Sequence, residues 1–247
     1  MELKDKVIVV TGGASGIGKA TARVLAAHGA TVHIGDLDIA GAERAAQEIE
    51  GGNVWATALD LARADSVKSF ADLVLAQHGR IDGLVNAAGF DKVGPFMKND
   101  PELWERLVAV NLLGAMRLTQ LLLPSMIGAN AGKIVNIASD AGRVGSMGET
   151  AYAATKGGLI AFTKSLAREM ARHQINVNVV CPGPTDTPLF NAQASDGLRD
   201  ALISAIPFRR LGQPEDVAQA VRYLIGPNAS YVTGQVLSVS GGLTMVG

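Results

Sequence analysis

The feature that most constrains the fold is an alternation, along the whole chain, of short β-branched segments with longer segments rich in Ala and Leu. The short segments are apolar throughout, as strands of a parallel sheet are when helices cover both of its faces. The pattern predicts strands at 6–11, 31–35, 54–58, 83–86, 133–138, 176–180 and 236–239. It predicts helices at 16–28, 40–50, 64–78, 101–126, 149–173 and 214–225. We therefore expect a three-layer α/β fold, a doubly wound sheet of about seven parallel strands with helices on both faces.

The 247 residues are expected to form a single domain, 1–247, because this length supports one large core and no repeat or linker interrupts the pattern. Residues 182–213 are the one long stretch with weak periodicity, and they follow the sixth predicted strand. Irregular segments of this length are often functional lids. We predict that 182–213 is a substrate loop.

Charge and composition point to small molecules and other copies of the chain as partners. The 22 basic and 23 acidic residues are well mixed and give a net charge of −1, which does not favour nucleic acid or an anionic membrane. The apolar runs look too short or too interrupted to span a bilayer, and no signal peptide is predicted. The single cysteine, Cys181, fits a reducing compartment, so a cytoplasmic location is predicted. The four histidines lack metal-ligand spacing, and no metal site is predicted.

A glycine-rich turn, TGGASGIG at 11–18, joins the first predicted strand to the first predicted helix. Glycines allow the backbone to approach a pyrophosphate, whose charge is met by the amides at the helix N-terminus. The spacing is TGxxxGxG, and such a turn taken alone could be an ordinary tight turn. Its position in the first strand–helix connection favours a dinucleotide site and hence a Rossmann-type sheet.

Asp36 ends the second predicted strand, 18 residues after Gly18. A carboxylate at this distance suits the ribose hydroxyls of NAD and repels the 2′-phosphate of NADP. Leu37, not a basic residue, follows it. The alternative is a solvated acid at a strand end. We predict NAD as the cofactor.

Tyr152 and Lys156 are four residues apart, so they share one face of the predicted helix. An ammonium group beside a phenol favours the phenolate and is expected to lower the tyrosine pKa from about 10. A tyrosine of lowered pKa suits general acid/base catalysis near neutral pH. Ser139, just before the helix, could hold the oxygen that exchanges this proton. Taken alone, YxxxK is common on surface helices.

With TGGASGIG, NAAG at 86–89, Ser139, YAATK at 152–156 and the Pro182-Gly183 pair all in order, the chain resembles the short-chain dehydrogenase/reductase family over essentially its whole length. The resemblance implies a catalytic tetrad of Asn111, Ser139, Tyr152 and Lys156. In this tetrad the tyrosine carries the proton while hydride passes between the substrate carbon and the nicotinamide ring. Asn111 would hold a water that links Lys156 to solvent; the alternative is a buried amide that ties helix to sheet.

The resemblance also implies the set of cofactor-binding residues. They are Gly12, Ser15, Gly16, Ile17, Gly18, Asp36, Leu37, Asp60, Leu61, Asn86, Ala87, Ala88, Gly89, Val110, Tyr152, Lys156, Pro182, Gly183, Thr185 and Thr187. Members of the family commonly pair through the outer faces of the helices around 118–123 and 152. A homotetramer, built as a dimer of dimers, is therefore expected.

Within the family, the segments SDAGRVG, VNVVCPGPTDTPL and GQVLSVSGGLTM are similar to 2-hydroxycyclohexanecarboxyl-CoA dehydrogenases. The likeness implies a 2- or 3-hydroxyacyl-CoA-type, alicyclic substrate. The predicted substrate contacts are Ser139, Arg143, Met147, Tyr152 and Phe190.

Three alternatives remain open at this stage. Arg143, Arg209 and Arg210 could meet CoA phosphates, or the last two could anchor the loop to the next helix. The substrate could be a free alcohol or ketone, with Glu149 or Asp140 in its pocket. A non-catalytic, NAD-sensing protein would keep the fold but is expected to show gaps in the tetrad, and this chain shows none.

Overall fold

The computed structural model describes residues 2–50 and 53–246, and in these residues seven parallel strands form one sheet in the order β3-β2-β1-β4-β5-β6-β7. The strands are β1 Val7–Thr11, β2 Thr31–Asp36, β3 Val54–Ala58, β4 Gly83–Asn86, β5 Gly132–Ile137, β6 Ile175–Pro182 and β7 Val236–Val239. All pairings are parallel. The predicted sheet is confirmed, with β6 extended by one residue at its start and two at its end. Residues 1, 51, 52 and 247 of the predicted domain lie outside the described residues.

Helices connect the strands. They are α1 Gly16–Ala27, α2 Ile39–Glu48, α3 Ala64–His78, α4 Pro101–Val108, α5 Ala115–Ala129, α6 Ala141–Val144, α7 Thr150–Met170, α8 Pro188–Asn191, α9 Asp196–Ala205 and α10 Pro214–Ile225. Short 3₁₀ turns occupy Phe96–Lys98, Ala171–His173 and Pro227–Ala229. A π-helical segment, Ala109–Gly114, joins α4 to α5, so the helix predicted at 101–126 changes geometry midway.

The predicted substrate loop contains two helices, α8 and α9. Each begins at a capping side chain: Thr187 Oγ1 accepts from Phe190 N at 3.2 Å, and Ser195 Oγ accepts from Leu198 N at 3.3 Å. A capped helix of 4 residues and one of 10 are too short to show a clear apolar period. This is why the pattern alone predicted an irregular segment.

The helices form two layers with the sheet between them, as the predicted fold class requires. Val9 and Val10 illustrate the arrangement, because neighbouring residues of a strand face opposite sides of the sheet. Val10 packs in a cluster with side chains of α1, α2 and α10, while Val9 packs in a cluster with side chains of α3, α5 and α7. The three-layer Rossmann-type α/β fold is confirmed.

The chain reverses its direction of winding between β1 and β4, which are neighbours in the sheet although two strands separate them in sequence. In open parallel sheets, ligands bind in the crevice at the carboxyl ends of the strands at such a switch point. Thr11 and Asn86 end these two strands in register. The topology therefore places the segments after β1 and β4 at a binding crevice.

The continuous helical stretch Pro101–Ala129 is long and apolar enough to cross a membrane by length and composition, although the sequence pattern had suggested that its apolar runs were too interrupted. Core helices meet the same criterion. In this stretch Leu107, Leu118, Leu122 and Met126 are buried within the protein, so packing accounts for much of its apolar character.

Candidate active site

The turn between β1 and α1 depends on glycines, which have no side chain. Gly12 has φ +72°, and a Cβ there would lie 2.7 Å from Ala88 Cα. A Cβ on Gly18 would overlap the carbonyl oxygen of Gly12. Thr11 Oγ1 ties the turn to the next segment by accepting from Ala87 N and Ala88 N, both at 3.1 Å. Only glycine permits this close packing, which exposes the first amides of α1 to the crevice.

A first cleft of about 300 Å³ lies above this turn and is called here the nucleotide cleft. Fourteen of the predicted cofactor residues line it: Gly12, Ser15, Gly16, Ile17, Gly18, Asp36, Leu37, Asp60, Leu61, Ala87, Ala88, Gly89, Val110 and Thr187. A glycine backbone at a helix N-terminus beside carboxylates matches the needs of a pyrophosphate and a ribose. The residues present fit a dinucleotide.

Asp36 is held by two backbone amides. Its Oδ2 accepts from Ala14 N at 2.9 Å, and its Oδ1 accepts from Asp38 N at 3.0 Å. A carboxylate has about four acceptor positions, so two remain for other donors. Asp36 therefore stabilises the glycine turn and can still accept hydrogen bonds from ribose hydroxyls.

Asn86 lies beneath the cleft and not in its lining. Its Nδ2 donates to Asn136 Oδ1 at 2.8 Å and to Thr119 Oγ1 at 3.2 Å, and its side chain is buried. These bonds tie β4 to β5 and α5. Asn86 thus supports the segment Ala87–Gly89 from below.

A second cleft of about 530 Å³, called here the substrate cleft, adjoins the first. Ile17, Ala87, Gly89, Thr187 and Leu189 line both. The substrate cleft also contains the remaining predicted residues except Asn86, Asn111 and Arg143, namely Ser139, Met147, Tyr152, Lys156, Pro182, Gly183, Thr185 and Phe190. The fold thus brings the predicted tyrosine, lysine and serine to the junction with a nucleotide-binding crevice.

Ser139, Tyr152 and Lys156 form one cluster. Ser139 Oγ accepts from Ala141 N at 3.1 Å, and its hydroxyl lies close enough to the Tyr152 hydroxyl to lower the pKa of the tyrosine. Lys156 Nζ lies 5.6 Å from the centroid of the Tyr152 ring and donates to Ile137 O at 2.9 Å. The two hydroxyls can therefore share one substrate oxygen, with the ammonium beneath the ring.

The expected lowering of the Tyr152 pKa is wrong for this site. Burial raises the pKa of Tyr152, and the carboxylates of Asp91 and Glu149 raise it further, whereas its hydrogen bond with Ser139 lowers it. Burial also lowers the pKa of Lys156, to about 8. The helical spacing gave the proximity of Lys156 correctly. It missed the burial of the site, the carboxylate of Glu149 just before α7, and the carboxylate of Asp91 from the segment after β4.

Asn111 sits in the π-helical segment, a feature common at functional positions of helices. Its Nδ2 donates to Phe90 O at 2.9 Å, and its Oδ1 accepts from Phe90 N at 3.0 Å. A Cβ on Gly89 would lie 3.0 Å from Asn111 Oδ1 and 3.2 Å from Lys156 Nζ. Asn111 therefore clamps the segment after β4 against the lysine; its water-holding role stays a prediction.

The predicted arginine contacts have protein partners. Arg143 Nη1 donates to Ser238 Oγ at 2.6 Å, and its Nη2 donates to Val246 O at 2.7 Å, outside the lining of both clefts. Arg210 pairs with Asp216 at 2.6 and 3.2 Å, and Arg209 donates to Ser204 O. Arg210 thus anchors the loop to α10, the next helix, as the alternative expected, whereas Arg209 bonds within the loop to the end of α9.

Two charged residues of the clefts were not singled out from the sequence. Arg106 lines the nucleotide cleft, with its guanidinium carbon 5.0 Å from the centroid of the Phe90 ring. Asp91 lines the substrate cleft two residues after the NAAG segment. Their positions carried a usable signal: Arg106 is one helical turn before Val110, and Asp91 follows a strand at the switch point.

Comparisons with known proteins find relatives that match nearly the whole chain. Residues 12–244 match the family model described as enoyl-(acyl carrier protein) reductase. The chain is 40% identical over 247 residues to the 3-oxoacyl-(acyl-carrier-protein) reductase of Thermotoga maritima, covering 99% of this chain and 100% of the relative. It is 40% identical over 245 residues to nodulation protein G of Rhizobium sp. strain N33, covering 99% of each. It is 37% identical over 246 residues to the 3-oxoacyl-(acyl-carrier-protein) reductase of Escherichia coli K12, covering 100% of each. The similarity extends through both clefts.

Proposed function

Since the chain belongs to the short-chain dehydrogenase/reductase family, we propose that it is an NAD-dependent oxidoreductase that interconverts a secondary alcohol and a ketone in a hydroxyacyl thioester. Membership makes the chain an oxidoreductase that uses a nicotinamide cofactor. The single observation that carries the finer proposal is the Ser139, Tyr152 and Lys156 cluster at the junction of the two clefts. A dinucleotide in the nucleotide cleft would bring its nicotinamide ring to this junction, next to the proton-transfer group.

For cofactor binding, we assign the pyrophosphate to the glycine turn and the adenosine ribose to Asp36. Asp60 and Leu61 would border the adenine, and Val110, Pro182, Gly183, Thr185 and Thr187 would border the nicotinamide half. The fixed carboxylate of Asp36 supports NAD, because a 2′-phosphate would meet a negative charge. When bound, the nicotinamide supplies or accepts the hydride.

The proton follows a separate route through the chain's own residues. In ketone reduction, Ser139 orients the carbonyl oxygen and Tyr152 gives it a proton; in alcohol oxidation, Tyr152 takes the proton back. The raised pKa of Tyr152 keeps its proton in place at neutral pH, which suits the reductive direction. Lys156 stabilises the tyrosinate left behind, and Asn111 fixes Phe90, the residue after Gly89, where the chain passes close to Lys156 Nζ.

The substrate cleft supports an acyl or alicyclic group. Apolar side chains of α8 and of the loop before α7 form part of its wall, including Met147, Leu189 and Phe190. Relatives named for 3-oxoacyl-(acyl-carrier-protein) reduction act on a ketone β to a thioester. The proposed 2-hydroxycyclohexanecarboxyl-CoA type has the same relation between the reacting carbon and the thioester. We propose the segment 182–213, which carries α8 and α9, as the loop that covers this substrate.

A free alcohol or ketone is the second candidate substrate. The observation that favours it is the engagement of Arg143 and Arg210 with Ser238, Val246 and Asp216. These were the cations expected to meet CoA phosphates. A substrate without phosphates would not need them.

A matched substrate panel separates the two candidates. Acetoacetyl-CoA, acetoacetyl-N-acetylcysteamine and 2-oxocyclohexanecarboxyl-CoA would be compared with cyclohexanone, each with NADH and with NADPH. The proposal predicts that thioesters exceed cyclohexanone in kcat/KM by at least about 100-fold, and that NADH exceeds NADPH by at least about tenfold. Equal or better turnover of cyclohexanone would transfer the assignment to free ketones, and preference for NADPH would overturn the role given to Asp36.

We also propose a homotetramer in the cytoplasm. Val108, Leu113 and Met116, on α4, the π segment and α5, are each more than a third exposed. Exposed apolar side chains on one helical stretch are typical of contact surfaces between subunits. The single, buried Cys181 supports a reducing compartment.

A further inference from the structure

Part of the substrate cleft is lined by leucines that the nucleotide cleft does not share. They are Leu198 and Leu202 on α9 and Leu243 in the segment after β7. We propose that these leucines form an apolar pocket for the hydrocarbon part of an acyl substrate, and that Arg143 is a positioning residue that holds the wall carrying Leu243. This inference rests on the proposed function, and it names the part of the substrate that this side of the cleft recognises.

Helix α9 presents an apolar face to the cleft. Leu198 and Leu202 are four residues apart, so they lie on one face of the helix. None of the ten residues of α9, all of which the structure describes, is buried, and Leu198 is 43% exposed. The apolar face of a helix usually packs against a core. Both leucines instead line the cleft that contains Tyr152, so the apolar part of a bound substrate can cover them.

The segment after β7 turns back and brings Leu243 into the lining of the same cleft. Gly241 and Gly242 make the turn, with φ of +60° and +89°, values that favour glycine. Leu243 N closes the turn by donating to Ser240 O at 3.2 Å. Phe208 N, just after α9, donates to Gly241 O at 3.2 Å. The turn is therefore attached to the chain that leaves α9, and the two leucine-bearing segments form adjoining walls.

Arg143 on α6 binds both ends of this C-terminal wall, residues 239–245. Its Nη1 donates to Ser238 Oγ at 2.6 Å, and its Nη2 donates to Val246 O at 2.7 Å. Ser238 Oγ in turn donates to Asp140 Oδ1, and Asp140 is buried. One guanidinium thus fixes the wall at both ends and ties it to a buried carboxylate. Lysine lacks the planar fork of donors and would not replace both contacts in the same geometry.

The first test measures binding without turnover. Hexanoyl-N-acetylcysteamine and acetyl-N-acetylcysteamine carry no ketone, and calorimetry gives their affinities for the full-length protein in the presence of NAD⁺. The wild type should bind the hexanoyl ester at least about tenfold more tightly than the acetyl ester, because the additional methylene groups leave water. Leu198→Ser and Leu243→Ser should each reduce this ratio of affinities by at least about threefold.

Leu73→Ser is the matched control for Leu198→Ser. Leu73 lies on α3, has the same 43% exposure as Leu198, and is outside the lining of both clefts. The control should leave the ratio of affinities unchanged. An equal reduction in the control and in Leu198→Ser would show that α9 does not contact the acyl group.

Arg143→Lys tests the positioning role, because it keeps the positive charge and removes the fork. If Arg143 acts through Leu243, this variant should reduce the hexanoyl-to-acetyl ratio about as much as Leu243→Ser does. The double variant should then lose little more than either single variant, since both changes remove the same contact. Arg63→Lys, in which the arginine pairs with Asp65 at the surface, is the control and should not change the ratio.

Each part of the inference can fail separately. A ratio of affinities near one in the wild type would overturn the pocket, whether or not the proposed substrates are turned over. An unchanged ratio in Arg143→Lys, or fully additive losses in the double variant, would overturn the positioning role. Failure of every substrate in the panel would count against the proposed function, while the ratio of affinities would still decide on the pocket.

Discussion

At the scale of single residues, the site depends on how closely the backbone can approach neighbouring segments and side chains. Gly12 and Gly89 are two points of close approach: a Cβ on Gly12 would lie 2.7 Å from Ala88 Cα, and a Cβ on Gly89 would lie 3.0 Å from Asn111 Oδ1 and 3.2 Å from Lys156 Nζ. The glycine turn and the tyrosine–lysine pair could be predicted from local spacing. The direction of the Tyr152 pKa could not, because Asp91 comes from a segment about sixty residues away that only the fold brings near.

Gly12→Ala and Gly79→Ala form a matched pair. Both glycines have φ near +70°, but a Cβ on Gly79 meets nothing within 4 Å, whereas a Cβ on Gly12 meets the backbone of Ala88. We expect Gly79→Ala to lower the free energy of unfolding by about 1 kcal/mol and Gly12→Ala by at least about 3 kcal/mol. Urea denaturation measures both. Gly12→Ala should also weaken NADH binding, measured by fluorescence, by at least about tenfold. Equal losses of stability would show that the close approach to Ala88 is not a constraint.

At the scale of elements, most helices and strands could be predicted because their apolar periods are long and regular. The π segment Ala109–Gly114 and the short helices α8 and α9 could not. A π turn differs from an α turn by one residue, which hardly changes the apolar pattern, and α8 and α9 depend on local caps. These are the elements that border the two clefts, so the site was harder to predict than the scaffold.

One buried contact between elements predicts a pH dependence of stability. His33 on β2 lies 2.9 Å from Thr57 Oγ1 on β3 and 3.0 Å from His78 on α3, and its side chain is inaccessible. Burial, and secondarily the charge of His78, lower the pKa of His33 to about 4. The folded state therefore binds its proton less readily than the unfolded state, whose pKa is about 6.5.

The stabilising contribution of a neutral His33 is present above about pH 6.5 and is lost as the pH falls toward 4. Between roughly pH 7 and pH 5 the wild type should lose about 2 kcal/mol through this residue. In His33→Gln the remaining loss should be smaller by that amount. Urea denaturation of both proteins at the two pH values measures it; parallel losses would show that His33 is not the responsible group.

At the scale of the whole molecule, the sheet reverses direction between β1 and β4 and so places two clefts side by side. One cleft carries the features that bind a dinucleotide, and the other carries the proton-transfer cluster. The alternating sequence pattern does not give the strand order by itself, and general rules for parallel sheets are needed as well. The strand order in turn determines which distant segments of the chain meet.

The proposed tetramer is tested by light scattering coupled to size exclusion. The expected mass is about four times the 25.6 kDa of one chain. Val108→Glu combined with Met116→Glu should shift the mass to that of a smaller species if this surface pairs subunits, while exposed Tyr231→Glu serves as the control. A stable monomer of the wild type would contradict the proposal.

Replacing Tyr152 with Phe tests the central claim most directly, because it removes one hydroxyl and keeps the ring. With acetoacetyl-CoA and NADH, or the best substrate of the panel, kcat should fall by at least about 100-fold, because the hydroxyl that gives the proton is lost and Ser139 is assigned only to orient the substrate oxygen. NADH affinity, measured by fluorescence, should stay within about twofold of the wild type, because residues other than Tyr152 line the nucleotide cleft. Near-normal turnover by Tyr152→Phe would contradict the account.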